Sequence, residues 1–183
     1  MFRNDFMGRN APPDMCKCQK PEFTNGECAD CFAEAMERKI RQGIRATPIR
    51  KGSALWYTHP LCREMLKRII GNLPITEATN SAAADTTILD WTADDELAAF
   101  CDALFNGKPL PQFGSIPAEI KLFVALTDQE VGKLATRCGI PWQPHGKPST
   151  YAQIEKLSAK YPELKSSLGK SVAELREVLG KNI

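Results

Sequence analysis

The chain has 183 residues, of which 43% are hydrophobic and 25% charged, and a net charge of +2. This is long enough for one domain with an appended module and a buried core, and a composition near globular averages excludes a fibrous or wholly disordered chain. No apolar run approaches the roughly 20 residues of a membrane span, and the opening MFRNDFMGRNAPPDM lacks the apolar segment of a secretory signal. No membrane association and a cytoplasmic location are therefore expected.

Charge is unevenly placed. Residues 1–60 carry ten Lys/Arg against seven Asp/Glu, residues 61–134 six against eleven, and residues 135–183 eight against four. Basic ends around an acidic middle suit a protein that presents particular surfaces to an anionic partner.

Residues 1–15 read as a short disordered lead. Behind them comes CKCQKPEFTNGECADC, a C-x-C-x9-C-x2-C spacing formed by Cys16, Cys18, Cys28 and Cys31. A tetrahedral zinc needs four soft donors at about 2.3 Å, which two short-spaced pairs joined by a turn can supply. Asn25-Gly26 is the turn chemistry that reverses a chain between such pairs. The total of seven cysteines is odd, so complete disulfide pairing is impossible. With no secretory signal, the cluster reads as one structural zinc site. An iron–sulfur cluster is the rival metal reading, because four thiolates ligate either. Cys62, Cys101 and Cys138 stand alone in apolar patterns and read as small buried hydrophobes.

The next segment, 32–46, has Phe32, Met36, Ile40 and Ile44 on one helical face and Arg38, Arg41 and Arg45 on another. The basic set Arg38, Lys39, Arg41, Arg45, Arg50 and Lys51 offers candidate RNA contacts. A solvated helix face is the competing reading. Residues 54–58 form a short strand, and Pro60 opens a helix from its first turn. Residues 71–86 read as a loop with a strand remnant around Ile75. A second strand follows over 86–91, then a helix whose Thr92 and Asp95 resemble a capping box. A third strand covers 119–126. Thr127 with Glu130 then caps a helix that Gly139 ends. Thr150 with Gln153 and Ser171 with Glu174 mark two further helix starts. Strands alternating with helices predict an α/β fold with a small parallel sheet and a helical tail. Asp94, Asp95 and Glu96 read as a helix N-terminus stabilised by its dipole rather than as a catalytic acidic cluster. His59 and His145 read as loop residues.

The order CADCFAEAMERKIRQGIRATPIRKGSALWYTHPLCREML resembles the PP-loop tRNA 2-thiolation proteins of archaea and eukaryotes. Those open with a cysteine zinc module, then a basic helix, then a strand feeding a Gly-rich phosphate loop. TILDWTADDELAAFCDALF resembles the family's strand and T-G-H-x-x-D-D-E-A helix, and IKLFVALTDQEVGKLATRCGIPW its later strand and helix. The tail STYAQIEKLSAKYPELKSSLGKSVAEL resembles the close of the eukaryotic second subunit. The resemblance implies a truncated PP-loop-like sheet. It implies zinc-module and basic-helix residues 16–52, a degenerate α/β domain over 53–145 and a helical segment over 146–183.

Departures from the family pattern shape the expected function. Where a PP-loop has S-G-G-x-D-S to cradle the pyrophosphate of ATP, this chain has Tyr57-Thr58-His59-Pro60-Leu61-Cys62, with no glycine and one backbone N–H removed by Pro60. The mid-domain C-x2-C pair of catalytic relatives is absent, and Lys147-Pro148 stands where Cys-Pro is expected. With no catalytic residue of its own, the chain is expected to be a non-catalytic subunit of a cytosolic tRNA 2-thiouridylase. ATP and an iron–sulfur cluster are expected on a catalytic PP-loop partner alone, with tRNA as the shared substrate and a ubiquitin-related sulfur carrier acting indirectly. Two alternatives stand beside this: an ATP-dependent thiolation enzyme with an altered loop, and a zinc-containing RNA-binding module unrelated to thiolation.

Overall fold

The structure is a computed structural model that describes residues 15–45, 47, 49–111, 116, 118–161 and 163–180. Apart from residue 15, the lead expected over 1–15 lies outside the described residues. Helix α1 spans Ala29–Gly43 and buries Phe32, Met36 and Ile40 from its apolar stripe. It starts earlier than periodicity suggests because Cys28 is its N-cap, its sulfur accepting the Cys31 N–H at 3.5 Å.

Strand β1 (Ala54–Tyr57) leads into α2 (Pro60–Ile70), which has proline in its first turn as expected. The strand remnant near Ile75 is β2, Thr76–Glu77, followed by a single 3-10 turn at Ser81–Ala83. Strand β3 (Thr86–Thr92) buries Ile88, Asp90 and Thr92 in alternation. It feeds α3 (Ala93–Phe105) through the expected capping box of Thr92 and Asp95. Strand β4 (Glu119–Phe123) is shorter than predicted. Residues 124–126 turn instead, the Leu126 N–H bonding back to the Phe123 carbonyl, before Thr127 and Glu130 box the start of α4 (Asp128–Cys138). Gly139 ends α4 at φ 65°, the left-handed conformation that suits glycine.

The tail departs from expectation. Helix α5 (Ser149–Lys160) starts behind Pro148 with no side-chain cap, and the buried Thr150 hydroxyl makes no hydrogen bond among the described residues. Ser171 lies inside α6 (Leu164–Gly180) rather than at its start. Leu164, Leu168 and Val172 recur every fourth residue against the second core cluster, and that burial carries the helix back past the capping signal.

All strand pairs are parallel, in the order β2-β1-β3-β4. The chain winds one way from β1 to β2 and the other way from β3 to β4, so right-handed crossovers place α2 and α3 on opposite faces. The larger core cluster joins α1, α2 and α4 to the sheet through Ile40, Leu55, Leu66, Ile88, Leu122 and Leu134. The smaller packs α3 against α5 and α6 through Leu97, Phe100, Tyr151, Ile154 and Val172. The fold is α/β, and no helix of the described residues is long and apolar enough to cross a membrane.

Candidate metal centre and ligand crevice

The four cysteines meet through local backbone geometry. Around Cys16 the chain makes a tight knuckle, with the Gln19 N–H on the Cys16 carbonyl at 2.8 Å and the Cys16 N–H on the Lys20 carbonyl at 2.9 Å. The reversal between the pairs is the expected turn: Asn25 and Gly26 both take positive φ (50° and 76°), and Thr24 bridges Glu27 antiparallel. The second pair enters α1, whose first turn carries Cys31 back over Cys28. Salt links clamp the module to α4: Asp30 pairs with Lys20 at 2.7 Å and with Arg137 at 3.0 Å, and Lys133 donates to the Thr24 hydroxyl at 2.7 Å.

All four sulfurs lie within 4.8 Å of one another, with Cys18 and Cys28 at 3.4 Å and Cys18 and Cys31 at 3.8 Å. A tetrahedral ion with metal–sulfur bonds of about 2.3 Å sets its donors about 3.8 Å apart, so the residues present fit a single bound ion. Crowding already divides their charge. Backbone N–H groups of Cys18 and Cys28 push the Cys16 thiol down to about 6. The neighbouring sulfurs of Cys28, Cys16 and Cys18 hold the Cys31 proton, pushing that thiol up to about 12. A cation that replaces the shared protons resolves this conflict.

Arg38 and Arg41 are exposed on α1 about 60° apart at 100° per residue, and Arg45 is exposed in the turn just past the helix end. Arg50 and Lys51 are exposed in the following turn. The stripe is interleaved with acid: Glu34, Glu37, Arg38 and Arg41 share one groove, and Arg41 lies 3.6 Å from Glu37. Lys39 stands apart from it, half-buried and paired with Glu130 of α4 at 2.5 Å.

In an open α/β sheet, ligands bind outside the carboxyl ends of the strands where the winding reverses, here between β1 and β3. That crevice is filled by the chain itself. Thr58 donates to Asp90 at 2.9 Å, Trp142 donates its indole N–H to the same carboxylate at 3.3 Å, and His145 Nε2 lies 3.4 Å from it. At the start of α2, the Leu61 N–H is taken by His59 Nδ1 at 3.1 Å and the Cys62 N–H by the His59 carbonyl at 3.0 Å. The Thr58 N–H goes to the Ile88 carbonyl, and Pro60 has none. Of the amides in this turn, those of Thr58, Leu61 and Cys62 are thus bonded within the chain.

Beside the crevice lies a network that sequence reasoning missed. Asp94 and Asp95 stand in the first turn of α3 as expected, but they are only 5% and 3% exposed and so need partners of their own. Asp94 accepts from the Tyr151 hydroxyl, from the Asp128 N–H at 2.7 Å and from Lys165 at 3.0 Å. Asp95 takes Lys147, and His145 at 2.9 Å, while Lys147 also reaches Asp128 at 3.0 Å. Thr92 ties the two helix starts together by donating to Asp128 at 2.6 Å. Burial opposes ionisation of both aspartates, but these donors outweigh it and hold both carboxyls below their ordinary range. His145 and Lys147 are shifted upward: burial works against their charge, and Asp95, with Asp90 or Asp128, overcomes it. Acid next to a strand end is visible in the sequence. The cations that answer it lie 50 or more residues away, and no local pattern links them.

No protein-family model and no curated protein matches the sequence. Among solved structures, the chain is similar to the U34-tRNA thiolase NcsA from Methanococcus maripaludis with its 4Fe-4S cluster. The TM-score is 0.68 at 14% identity, over 91% of this chain and 89% of that one. At that identity the likeness is one of fold: the small parallel sheet and its helices are PP-loop-like, preceded here by a four-cysteine group able to hold a metal.

Proposed function

We propose that the protein is a non-catalytic subunit of a cytosolic tRNA 2-thiouridylase complex. It assembles with a catalytic PP-loop subunit that holds ATP and an iron–sulfur cluster, and it extends the surface that binds tRNA. Sulfur reaches the wobble uridine from a ubiquitin-related carrier that acts through the catalytic subunit. The shared fold with a U34-tRNA thiolase supports the thiolation context. The observation that carries the non-catalytic role is the turn from β1 to α2, where the amides of residues 58, 61 and 62 are already bonded and Pro60 offers none. The metal is structural zinc in this reading. Sulfurs within 4.8 Å of one another suit one tetrahedral ion with bonds of about 2.3 Å.

The isolated chain is expected to show no ATP binding below millimolar concentration in calorimetry, and no ATP hydrolysis. Micromolar affinity would overturn the non-catalytic role and promote the reading of an enzyme with an altered loop. Recovery of a PP-loop protein with the chain from its native cells separates the subunit role from an unrelated RNA-binding module.

A further inference from the structure

Residues 140–148 leave the far end of α4 in neither helix nor strand and lead into α5. Among the described residues, 141–147 make no backbone-to-backbone hydrogen bond. Side chains hold the segment instead. Trp142 and His145 sit on Asp90, and Lys147 bridges Asp95 and Asp128. Beyond the segment, Tyr151 and Lys165 converge on Asp94. The carboxylates belong to β3, α3 and the start of α4, and the groups that answer them come from the tail.

We propose that residues 141–161, with Lys165 of α6, form a strap that closes the crevice from within. It lifts as a unit, with the four-stranded sheet left folded, when its ion pairs to Asp94, Asp95 and Asp128 are broken. The division of the core favours this. The sheet, α1, α2 and α4 share one apolar cluster, which the strap touches through Trp142, whereas α5 and α6 pack on α3 and on each other in the other. Electrostatics concentrates the strap's hold at a few points, because a buried carboxylate that loses its cation is strongly destabilising. Once lifted, the 12-residue α5 is too short to stay helical in water.

The strap should be tightest at mildly acidic pH, above the ordinary carboxylate range and below the ordinary histidine range. Asp94 and Asp95 are lowered, so their contribution is complete above the ordinary carboxylate range and fades as acid titrates them. His145 is raised, so its contribution is complete below its ordinary value and is lost as alkali deprotonates it. The groups facing His145 are Asp90 and Trp91 of β3, Asp95 of α3 and Lys147 of the strap, with Asp102 and Lys108 lining the same cavity.

Hydrogen–deuterium exchange on the full chain tests this, with carbodiimide labelling of carboxylates as a second readout. In Lys147→Gln, the amides of α5 should exchange at least tenfold faster and Asp90 and Asp94 should become labelled, while α1, α2 and β3 stay protected. Tyr151→Phe, which removes one hydroxyl and keeps its ring in the core, should give the same pattern more weakly. In the unmodified protein, α5 exchange corrected for intrinsic rates should pass through a minimum at mildly acidic pH. Unchanged α5 exchange in the variants overturns the latch, and parallel loss of protection in α1 and α2 overturns the independent strap. Should Lys147→Gln fail to fold, Tyr151→Phe and the pH series decide between the same outcomes.

Discussion

Cys28→Ser is expected to lose the metal and with it the fold of residues 15–28. The substitution is informative because Cys28 has two roles. Its sulfur is one of the four donors and also the N-cap acceptor for Cys31. Serine keeps a capping oxygen and removes the thiolate, so α1 can still start while the cluster falls to three donors. What remains to hold the module is slight. Phe23 lies against Phe32 at 5.6 Å, Lys133 donates one hydrogen bond to Thr24, and the pairs of Lys20 with Asp30 and of Asp30 with Arg137 are exposed and contribute little in water. Structural zinc, by contrast, carries most of the folding free energy of finger-sized modules. The unmodified protein should carry about one equivalent of zinc, as a closed four-thiolate site requires. The variant should be nearly metal-free, should be cleaved rapidly between residues 15 and 28, and should keep the protection of α2 and β3. Stoichiometric iron with acid-labile sulfide in anaerobically purified protein would refute the zinc assignment.

Replacing Arg38, Arg41 and Arg45 together by alanine is expected to weaken tRNA binding by the assembled complex on the order of 10- to 100-fold at physiological salt. Arg38 and Arg41 are exposed on α1 and Arg45 in the turn that ends it, close enough in the chain for one phosphate backbone to meet them all. Each phosphate neutralised releases counterion, so the salt dependence should flatten by about 0.7–0.9 for every phosphate left without its arginine. The variant should keep its metal and its partner, since substitutions at exposed positions cost a fold little. Lys39→Ala supplies the contrast. Its ammonium is committed to Glu130, the same acid that boxes Thr127, so its removal should loosen the seat of α1 on α4 and leave the salt slope unchanged. Equal affinity and equal slope in the triple variant would mark the stripe as solvated surface and move the tRNA elsewhere, to Lys156, Lys160, Lys165 and Lys170 of the tail.

Features written in short-range code are legible in the sequence. The Asn25-Gly26 reversal, the two capping boxes, Pro60 in a first turn and Gly139 at a helix end each depend on a few adjacent residues, and each is present. The approach of four sulfurs follows from the same local logic. Ser171 does not start a helix because burial of Leu164 and Val172 against distant helices outweighs a capping signal. His145 reads as a loop residue in the sequence because Asp90 and Asp95 become its neighbours only when the strap lies over the sheet. Lys39 groups with the arginines on charge alone, whereas its place on the helix turns it toward Glu130.

The separation between the acids and the groups that answer them also sets an order of events during synthesis. Asp94 and Asp95 leave the ribosome 52 to 71 residues before Lys147 and Lys165 do. At roughly 5–20 residues per second, the acidic crevice stands open for several seconds while the sheet assembles beneath it. The acids of β3, α3 and α4 thus precede in synthesis the groups that answer them, and the crevice can close only once residues 142–165 have followed.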